Sequence, residues 1–230
     1  MALFERKPDA ENVAGDALTR ALSVAAVENA FVENVYDKLA TVYDLTFGPT
    51  LHPGRLQAIE RMSIQPGERV LEVGVGTGIN LPLYPREATV TGIDFTASML
   101  EKARERAARK DAAPVRLLQM DAADLKFADD SFDIVYAPYL ISVVPDPVKV
   151  AQEMHRVCRR GGRIIILNHF LSPNRGLSRI ERLISPATIH IGFKSDLDLP
   201  AFLAQAELKP VSIEKVNWPK IWSLVTCVKA

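Results

Sequence analysis

Cysteine is scarce in this chain, which has only Cys158 and Cys227 among its 230 residues. The two lie far apart in the sequence and belong to no Cys-x-x-Cys motif or Cys/His cluster. Disulfide-rich secreted scaffolds and structural zinc sites use more cysteines at closer spacing. The simpler interpretation is a reduced, cytoplasmic protein without a metal site.

An excess of charge of one sign is also missing. Lysine and arginine total 28, and aspartate and glutamate total 28, so the formal net charge is zero. Proteins whose main task is to wrap nucleic acid usually show a strongly basic domain. The composition therefore argues against a nucleic-acid partner, although it leaves room for a local basic patch.

Long apolar runs are absent as well. No run approaches the roughly 20 residues that a helix needs to cross a bilayer. The first residues, Met1–Pro8, also lack the hydrophobic core of a secretory signal peptide. We therefore expect a cytoplasmic protein that does not span a membrane. Whether it rests on a membrane surface is a separate question.

The first part of the chain is helical in pattern and shows no strand signal. Apolar residues recur at helical spacing from about residue 10 onwards. Pro53-Gly54 predicts a turn before a helix from Arg55 to Arg61. We expect a helical extension over residues 1–62, acting as a lid or a membrane contact, followed by one domain over residues 63–230.

From Arg69 to His169 short apolar runs alternate with helical stretches, which predicts a parallel sheet with helices on both faces. Near the end of the chain, Trp218-Pro219 predicts a turn between two antiparallel strands. The predicted strands are Arg69–Val73, Thr89–Ile93, Val115–Gln119, Phe132–Tyr136, Arg163–His169, Pro210–Val216 and Ile221–Val228. The predicted helices after the extension are Leu81–Tyr84, Ala97–Lys110, Pro147–Arg160 and Leu197–Ala206.

The strongest motif is a glycine-rich loop, Val70-Leu-Glu-Val-Gly-Val-Gly-Thr-Gly78, between an apolar strand and a helix. Glycines at such a place let the chain turn sharply and approach a ligand closely. Nicotinamide enzymes use Gly-x-Gly-x-x-Gly here, but the third glycine of this chain comes one residue early and Ile79 takes its place. A pyrophosphate has little use for Glu72 beside the loop, whereas a ligand with an ammonium group tolerates it.

Two aspartates follow the next two strands. Asp94 ends the second strand, where a carboxylate can accept hydrogen bonds from both hydroxyls of a ribose. Asp121 follows the third strand and is placed to accept from an adenine amino group, with Ile93, Phe95 and Met120 flanking the ring. The alternative is that the glycines only turn the chain and that the aspartates cap helices.

In this set of residues the sequence resembles the class I S-adenosylmethionine (SAM) dependent methyltransferases. The loop, Asp94, Asp121 and Asp130-Ser-Phe-Asp133 before the fourth strand fall where that family has them. The resemblance implies a Rossmann-like fold with a mostly parallel seven-stranded sheet and an antiparallel C-terminal hairpin. It also implies SAM as the cofactor, with S-adenosylhomocysteine as its product. The implied cofactor-binding residues are Glu72, Gly74, Gly76, Gly78, Asp94, Phe95, Met120, Asp121 and Ala122.

The methyl acceptor is indicated by further resemblances. The segment Tyr36–Gly48 resembles that of a subfamily containing quinone C-methyltransferases and bacterial phospholipid N-methyltransferases. Tyr136–Pro147, Asn168-His-Phe170 and the short chain resemble the phosphatidylethanolamine N-methyltransferases of the Rhodobacter type. This implies stepwise methylation of the lipid amine, through mono- and dimethylated lipid, to phosphatidylcholine.

Aromatic residues supply candidate contacts for the acceptor. Each added methyl group makes the amine a more hydrophobic cation, and aromatic faces stabilise such cations. Tyr36, Tyr43, Tyr136 and Tyr139 provide rings, and Tyr43 is alternatively a core residue of an amphipathic helix. His169 ends a central strand at the edge where open α/β sheets bind ligands. We assign Tyr36, Tyr139 and His169 to catalysis and Tyr43 to the substrate.

A membrane contact is predicted near the end of the sheet. On a helix over residues 175–184, leucines and isoleucines fall on one side, and Arg175, Arg179 and Arg182 fall on the other. Such basic amphipathic character suits an anionic lipid surface, and Lys194 adds to the charge. We therefore expect peripheral association with the inner face of the membrane. The alternative is ordinary packing of this segment against the sheet.

Three functions remain open at this point. The first is N-methylation of phosphatidylethanolamine. The second is C-methylation of a quinone precursor, which needs a flat apolar pocket and a base near an aromatic carbon. The third is a non-enzymatic module that binds SAM; the intact loop together with Asp94 and Asp121 disfavours it.

Overall fold

The computed structural model describes residues 50–108, 113–172 and 197–230. Its strands are β1 (Arg69–Val73), β2 (Thr89–Asp94), β3 (Val115–Gln119), β4 (Phe132–Pro138), β5 (Cys158–His169), β6 (Pro210–Val216) and β7 (Trp222–Val228). Its helices are α1 (50–62), α2 (Ala97–Ala107), α3 (Pro147–Val157) and α4 (Leu199–Gln205), with a short 3-10 helix at Leu81–Leu83.

The seven described strands form one sheet in the order β3-β2-β1-β4-β5-β7-β6. The first five strands are parallel, and β7 runs antiparallel to both β5 and β6. This confirms the predicted fold class, a mostly parallel sheet that ends in an antiparallel hairpin. The chain builds outwards from β1 to β3 and then returns to β4 on the other side of β1. Open α/β sheets bind ligands at the carboxyl edge beside such a reversal.

Both faces of the sheet are covered by apolar packing. Val70 and Ile134 point to the face that carries α1 and α2, whereas Leu71 and Val135 point to the face that carries α3 and α4. Neighbouring residues of a strand alternate between faces, so a strand that is buried on both sides needs a continuous apolar sequence. This explains why the central strands appear in the sequence as short apolar runs.

Strand predictions agree closely with the structure. Arg69–Val73, Val115–Gln119 and Pro210–Val216 match residue for residue, and Trp218-Pro219 forms the turn before β7. The largest strand difference is at β5, which begins at Cys158 rather than Arg163. The prediction that α3 continues to Arg160 is therefore wrong.

The early end of α3 has a tertiary cause. Cys158 leaves the helix with an extended backbone and pairs with Phe132 of β4. The ladder then shifts register before the next pairs, and Gly161 in this stretch has a φ of +70°. Local sequence favours helix through Arg160, but pairing with β4 takes these residues into the sheet.

Two other helix ends also differ from the prediction. Helix α2 ends at Ala107 rather than Lys110, which lies outside the described residues. Helix α4 begins at Leu199 rather than at the predicted Leu197 because Asp198 caps it, its side chain accepting from the Ala201 amide at 2.9 Å, and it ends at Gln205, one residue before the predicted Ala206. Such a cap satisfies an amide that the first turn leaves without a helical partner.

The predicted turn at Pro53-Gly54 is wrong, because residues 50–62 are continuously helical. The amide of Gly54 donates to Oδ1 of Asn217 at 2.6 Å, so the turn after β6 supplies its partner. Ala58 and Met62 of α1 are fully buried in the core. This part of the predicted N-terminal extension therefore packs as part of the α/β domain.

The remainder of that extension, residues 1–49, lies outside the described residues, as does the predicted basic helix at 175–184. Among the residues that are described, no helix combines the length and apolar character needed to cross a membrane.

Candidate functional site

A cleft of about 200 Å³ opens at the carboxyl edge of the sheet, around the loops that follow β1 to β4. Its position beside the reversal of strand order is the one expected for a ligand site. The residues that line it are Arg55, Gly74–Thr77, Ile79, Ile93–Thr96, Met99, Met120–Ala122, Pro138–Leu140 and Val143–Pro145.

The glycine loop forms the floor of this cleft. The amides of Gly74 and Val75 both donate to the carbonyl oxygen of Ile93, at 2.9 and 2.8 Å. Gly76 has a φ of +54°, and a Cβ built on it would meet nothing within 4 Å. The backbone at Gly76 is therefore bare and faces open space, which gives a ligand a close approach to the main chain.

The third glycine has a different task. Gly78 is not among the residues that line the cleft. A Cβ at this position would lie 2.8 Å from Cδ1 of Leu81 and 3.0 Å from Cα of Ala103 on α2. The absence of a side chain at Gly78 therefore allows close packing of the loop on α2, rather than contact with the ligand.

Asp94 ties the loop to the end of β2. Its Oδ2 accepts from the Gly76 amide at 2.8 Å, and its Oδ1 accepts from the Thr96 amide at 2.9 Å. Burial raises the pKa of the Asp94 carboxyl, whereas these backbone hydrogen bonds act in the opposite direction. Each carboxylate oxygen has two lone pairs, so the group retains capacity for a pair of hydroxyl donors in the cleft.

The other end of the cleft suits a flat base. Phe95, Met120, Asp121 and Ala122 all line it, and Phe95 remains 42% exposed. Oδ1 of Asp121 accepts from the Ala123 amide at 2.8 Å, which fixes the carboxylate at the rim. Apolar surface beside a fixed acceptor is the arrangement that an aromatic base with an amino group requires.

Glu72 lies behind the loop, outside the lining of the cleft. It is fully buried and accepts hydrogen bonds from Asn80 Nδ2 at 2.6 Å and from the Tyr84 hydroxyl at 2.7 Å. Burial raises the pKa of its carboxyl to about 7, although these hydrogen bonds and the charge of Arg55 act to lower it. In the described structure Glu72 therefore anchors the segment that follows the loop, through its hydrogen bonds with Asn80 and Tyr84.

Tyr139 forms part of the wall after β4. Its φ is +56°, a left-handed backbone that is rare for a residue with a bulky side chain. The hydroxyl donates to the carbonyl oxygen of Leu51 and accepts from Nδ2 of Asn217, both at 2.9 Å. The ring therefore lines the cleft while the phenol oxygen is held by α1 and by the turn after β6.

Two other candidate residues do not reach the cleft lining formed by the described residues. Tyr136 is fully buried within β4, and burial raises the pKa of its phenol well above the usual range. His169 is buried at the end of β5, where it pairs with Trp222 of β7. The structure thus brings together Tyr139 and seven of the implied cofactor residues, but not His169, Glu72 or Gly78. The seven are Gly74, Gly76, Asp94, Phe95, Met120, Asp121 and Ala122.

The remaining candidates, Tyr36, Tyr43, Arg175, Arg179, Arg182 and Lys194, lie outside the described residues. No group of three or more histidine, cysteine or acidic residues within the described part of the chain is arranged to hold a metal ion.

Sequence reasoning missed Arg55, a buried residue of α1 that lines the cleft. Its Nη1 donates to Oδ1 of Asn80 at 3.1 Å, and its guanidinium carbon lies 4.8 Å from the centre of the Tyr139 ring. Nothing in its sequence context separates it from Arg61 of the same helix, which instead pairs with Glu214 at the surface. Only the packing of α1 against the sheet distinguishes them.

These residues fit the adenosyl group and the methionine chain of SAM. The cleft offers bare backbone at Gly76, a carboxylate at the end of β2 and an apolar slot with an acceptor beyond it. When bound, SAM supplies a methyl group on a positively charged sulfur. The chain itself would supply alignment, because methyl transfer needs an acceptor lone pair in line with the methyl carbon.

The chain matches the family described as "Methyltransferase domain" over residues 71–166. It is 42% identical over 171 residues to a phosphatidylethanolamine N-methyltransferase of Cereibacter sphaeroides, a match that covers 74% of this chain and 84% of the relative. It is 33% identical over 146 residues to a ubiquinone/menaquinone biosynthesis C-methyltransferase of Geotalea daltonii, covering 59% of this chain and 62% of that protein.

Solved structures share the fold. The phospholethanolamine N-methyltransferase 2 of Haemonchus contortus, solved with phosphomonomethylethanolamine and S-adenosylhomocysteine, superposes with a TM-score of 0.67 at 18% identity. That match covers 86% of this chain and 60% of the other. At 18% identity this superposition shows the shared fold alone. The identity to the Cereibacter enzyme, together with the matched methyltransferase domain, shows that this chain belongs to the class I SAM-dependent methyltransferases and is an enzyme with SAM as its cofactor.

Proposed function

We propose that this enzyme methylates the amine of phosphatidylethanolamine in successive steps, through mono- and dimethylated lipid, to phosphatidylcholine. The observation that carries the proposal is the 42% identity to a phosphatidylethanolamine N-methyltransferase over 84% of that enzyme's length. The match extends well beyond the methyltransferase domain segment of residues 71–166 that a wider family shares.

The wall of the cleft after β4 is suited to an amine acceptor. Leu140, Val143, Val144 and Pro145 line it, so this side is apolar. An apolar surrounding disfavours the protonated form of an amine and lowers its pKa. A neutral amine has the free lone pair that attack on the methyl carbon needs. As the new C–N bond forms, the C–S bond would break and its electron pair would stay on sulfur. In the first two steps the methylated ammonium would then lose a proton to solvent before the next transfer, whereas the third step would leave a quaternary ammonium with no proton to lose.

Later steps produce amines of greater hydrophobicity and end in a quaternary cation. Aromatic faces stabilise such cations. Tyr139 supplies one ring at the cleft, with the Arg55 guanidinium already packed on it. Tyr36 and Tyr43 are the proposed additional rings. In this proposal Tyr139 acts through its ring, because its hydroxyl is engaged by Leu51 and Asn217.

A lipid substrate requires a membrane surface, so we propose that the enzyme binds peripherally to the inner face of a membrane. The support is the basic amphipathic pattern of residues 175–184, with Arg175, Arg179 and Arg182 on one side. Lys194 extends the positive charge. Anionic lipids are the proposed partners of these side chains.

C-methylation of a quinone precursor is the second candidate. It is favoured by the 33% identity to the Geotalea C-methyltransferase. Such a reaction needs a base beside an aromatic carbon. The ionisable residues in the described lining of the cleft are Arg55, Asp94, Asp121 and Tyr139. Both aspartates lie at the end of the cleft assigned to the nucleoside, and the Tyr139 hydroxyl is engaged by Leu51 and Asn217. The match also covers less of each chain, so N-methylation is the better supported function.

The test is incubation with methyl-labelled SAM and vesicles of phosphatidylethanolamine mixed with an anionic phospholipid, followed by separation of the lipids. We expect label in the mono-, di- and trimethylated forms of the lipid. Asp94→Asn serves as the inactive control, and Lys209→Ala, an exposed residue after α4, serves as the active one. Absence of lipid label while SAM still binds, with label in a demethylated quinone offered in parallel, would contradict the proposal.

A further inference from the structure

Arg55 places a buried positive charge at one end of the cofactor cleft. Its side chain lines the cleft beside the glycine loop, yet the residue is only 8% exposed. Its Nη1 donates to Asn80, and its guanidinium stacks on Tyr139. Its Nε is buried and has no hydrogen-bond partner among the described residues. The described protein thus satisfies only part of a five-donor group, and unsatisfied buried donors are costly.

The order of the strands determines where Arg55 stands in the cleft. Asp121 follows β3, Asp94 ends β2, and Tyr139 follows β4, with the glycine loop of β1 between the last two. Arg55 contacts Asn80, just after that loop, as well as Tyr139. Arg55 therefore lies at the β1–β4 end of the line of residues that follow these four strands. At the usual strand spacing this end is about 14 Å from the β3 end.

SAM has the same order of groups along its length. Adenine is at one end, the ribose follows, and the methionine chain at the other end carries the α-carboxylate. With Asp121 assigned to the adenine and Asp94 to the ribose, the methionine chain of bound SAM would run over Gly76 and Gly74 towards Arg55. Its carboxylate would then meet Arg55, the one cation among the described residues that line the cleft.

We propose that Arg55 binds the α-carboxylate of SAM and makes the enzyme select SAM over its decarboxylated analogue. A guanidinium presents a planar fork of N–H groups that matches the two oxygens of a carboxylate, and such bidentate charged pairs are among the stronger hydrogen bonds in proteins. The inference depends on the cofactor, which the family establishes, and not on the proposed lipid acceptor.

The contact would also connect α1 to the cofactor. Helix α1 is bonded to the wall of the cleft where Leu51 accepts from Tyr139, and to the turn after β6 where Gly54 donates to Asn217. A bound carboxylate adds a third point on the same helix.

Calorimetric titration with SAM and with decarboxylated SAM tests the proposal without any acceptor. The wild-type enzyme should bind SAM at least about tenfold more tightly than the analogue, since a hydrogen bond to a charged group is worth that much or more. Arg55→Met removes the guanidinium but keeps an unbranched apolar side chain. It should raise the Kd of SAM about tenfold to a hundredfold and leave the Kd of the analogue within about twofold.

The matched control is Arg61→Met, which changes an arginine of the same helix that pairs with Glu214 outside the cleft. It should leave both dissociation constants unchanged. Arg55→Lys retains a charge without the planar fork and should give an intermediate loss for SAM alone. If Arg55→Met fails to fold, as judged by circular dichroism, the wild-type preference and the lysine variant still decide the matter.

Three outcomes would overturn the proposal. Equal binding of SAM and the analogue by the wild-type enzyme is the first. An equal loss for both ligands in Arg55→Met, which indicates a role in folding of the site, is the second. The third is unchanged binding of both ligands with a raised KM for the phospholipid, which assigns Arg55 to the phosphate of the acceptor. Because calorimetry needs no acceptor, a failed lipid assay does not affect this test.

Discussion

The Gly76 amide donates a hydrogen bond of 2.8 Å to Oδ2 of Asp94. This bond joins the loop after β1 to the end of β2, and the bare backbone of Gly76 faces the cleft. One carboxylate therefore fixes the shape of the loop and still offers lone pairs to a ligand. We expect the shape of the glycine loop to depend on this hydrogen bond.

Replacing Asp94 should remove cofactor binding. Asp94→Ala deletes the acceptor of the Gly76 amide together with the acceptor for the ribose hydroxyls, so we expect the Kd of SAM to rise by at least about a hundredfold. Calorimetry measures this directly. Asp129→Asn, at an exposed carboxylate bonded to Arg156, is the control and should bind SAM normally. Near-normal affinity in Asp94→Ala would refute the assignment.

The glycines of the loop should separate into a binding and a packing position. Gly76→Ala points a methyl group into the open cleft, so it should weaken SAM binding and cost about 1–2 kcal/mol of stability from its positive φ. Gly78→Ala adds contacts at 2.8 Å with Leu81 and 3.0 Å with Ala103, and should cost about 2–4 kcal/mol. Denaturant unfolding and calorimetry on both variants check the difference. Equal stability of the two variants would contradict it.

Glu72 should make stability depend on pH. Its carboxyl pKa is raised from 4.5 to about 7 in the folded protein. Between these two pH values the native state therefore keeps a proton on Glu72 that the unfolded chain has released. The contribution of Glu72 to the free energy of unfolding is therefore fully present below pH 4.5 and falls as the pH rises to about 7. Above about pH 7 the loss of unfolding free energy due to Glu72 is constant, on the order of 3 kcal/mol.

Glu72→Gln removes this titration while keeping a side chain of the same shape. The stability of the variant relative to wild type should rise between pH 4.5 and about 7 and then level off. Urea unfolding at several pH values gives the difference. A relative stability that does not change with pH, or one that falls over this window, would show that Glu72 is not held in its protonated form.

The hydroxyl of Tyr139 should stabilise the fold and should not transfer a proton in catalysis. Its oxygen is engaged by Leu51 and Asn217, so Tyr139→Phe should lower the free energy of unfolding by about 1–2 kcal/mol. We expect kcat to stay within about threefold of wild type, because the ring remains in the cleft wall. Asn217→Ala is the matched variant on the other side of the bond. A hundredfold loss of kcat in Tyr139→Phe alone would instead assign the hydroxyl to catalysis.

The basic helix predicted over residues 175–184 should contribute to membrane binding. Replacing Arg179 and Arg182 with glutamate reverses two charges, and each basic residue near an anionic surface is worth about 1 kcal/mol, so sedimentation with anionic liposomes should fall more than tenfold. Arg104→Glu with Arg116→Glu, at two exposed positions on α2 and β3, is the charge-matched control. Equal sedimentation of the two double variants would count against a specific basic surface.

Local patterns predicted most of the sheet correctly because each central strand is short, apolar and bounded by turn residues. Prediction failed where distant residues compete with local preference. Arg159 and Arg160 continue a helical pattern, yet they join β5 because the strand pairs with β4 from Cys158 onwards. Pro53-Gly54 predicts a break, yet Asn217 supplies a partner for the Gly54 amide and the helix continues through it.

The sequence alone determined the fold class and predicted the glycine loop and the two aspartates that line one cleft, since these follow from residues adjacent along the chain. Tertiary structure decided which side chains reach the cleft. Gly76 lines it and Gly78 packs on α2, Glu72 lies behind it, and Arg55 enters it from a helix that sequence reasoning placed in the extension. The physical reason is that spacing shows which residues share a strand or helix, whereas the burial of a side chain depends on elements that only folding brings together.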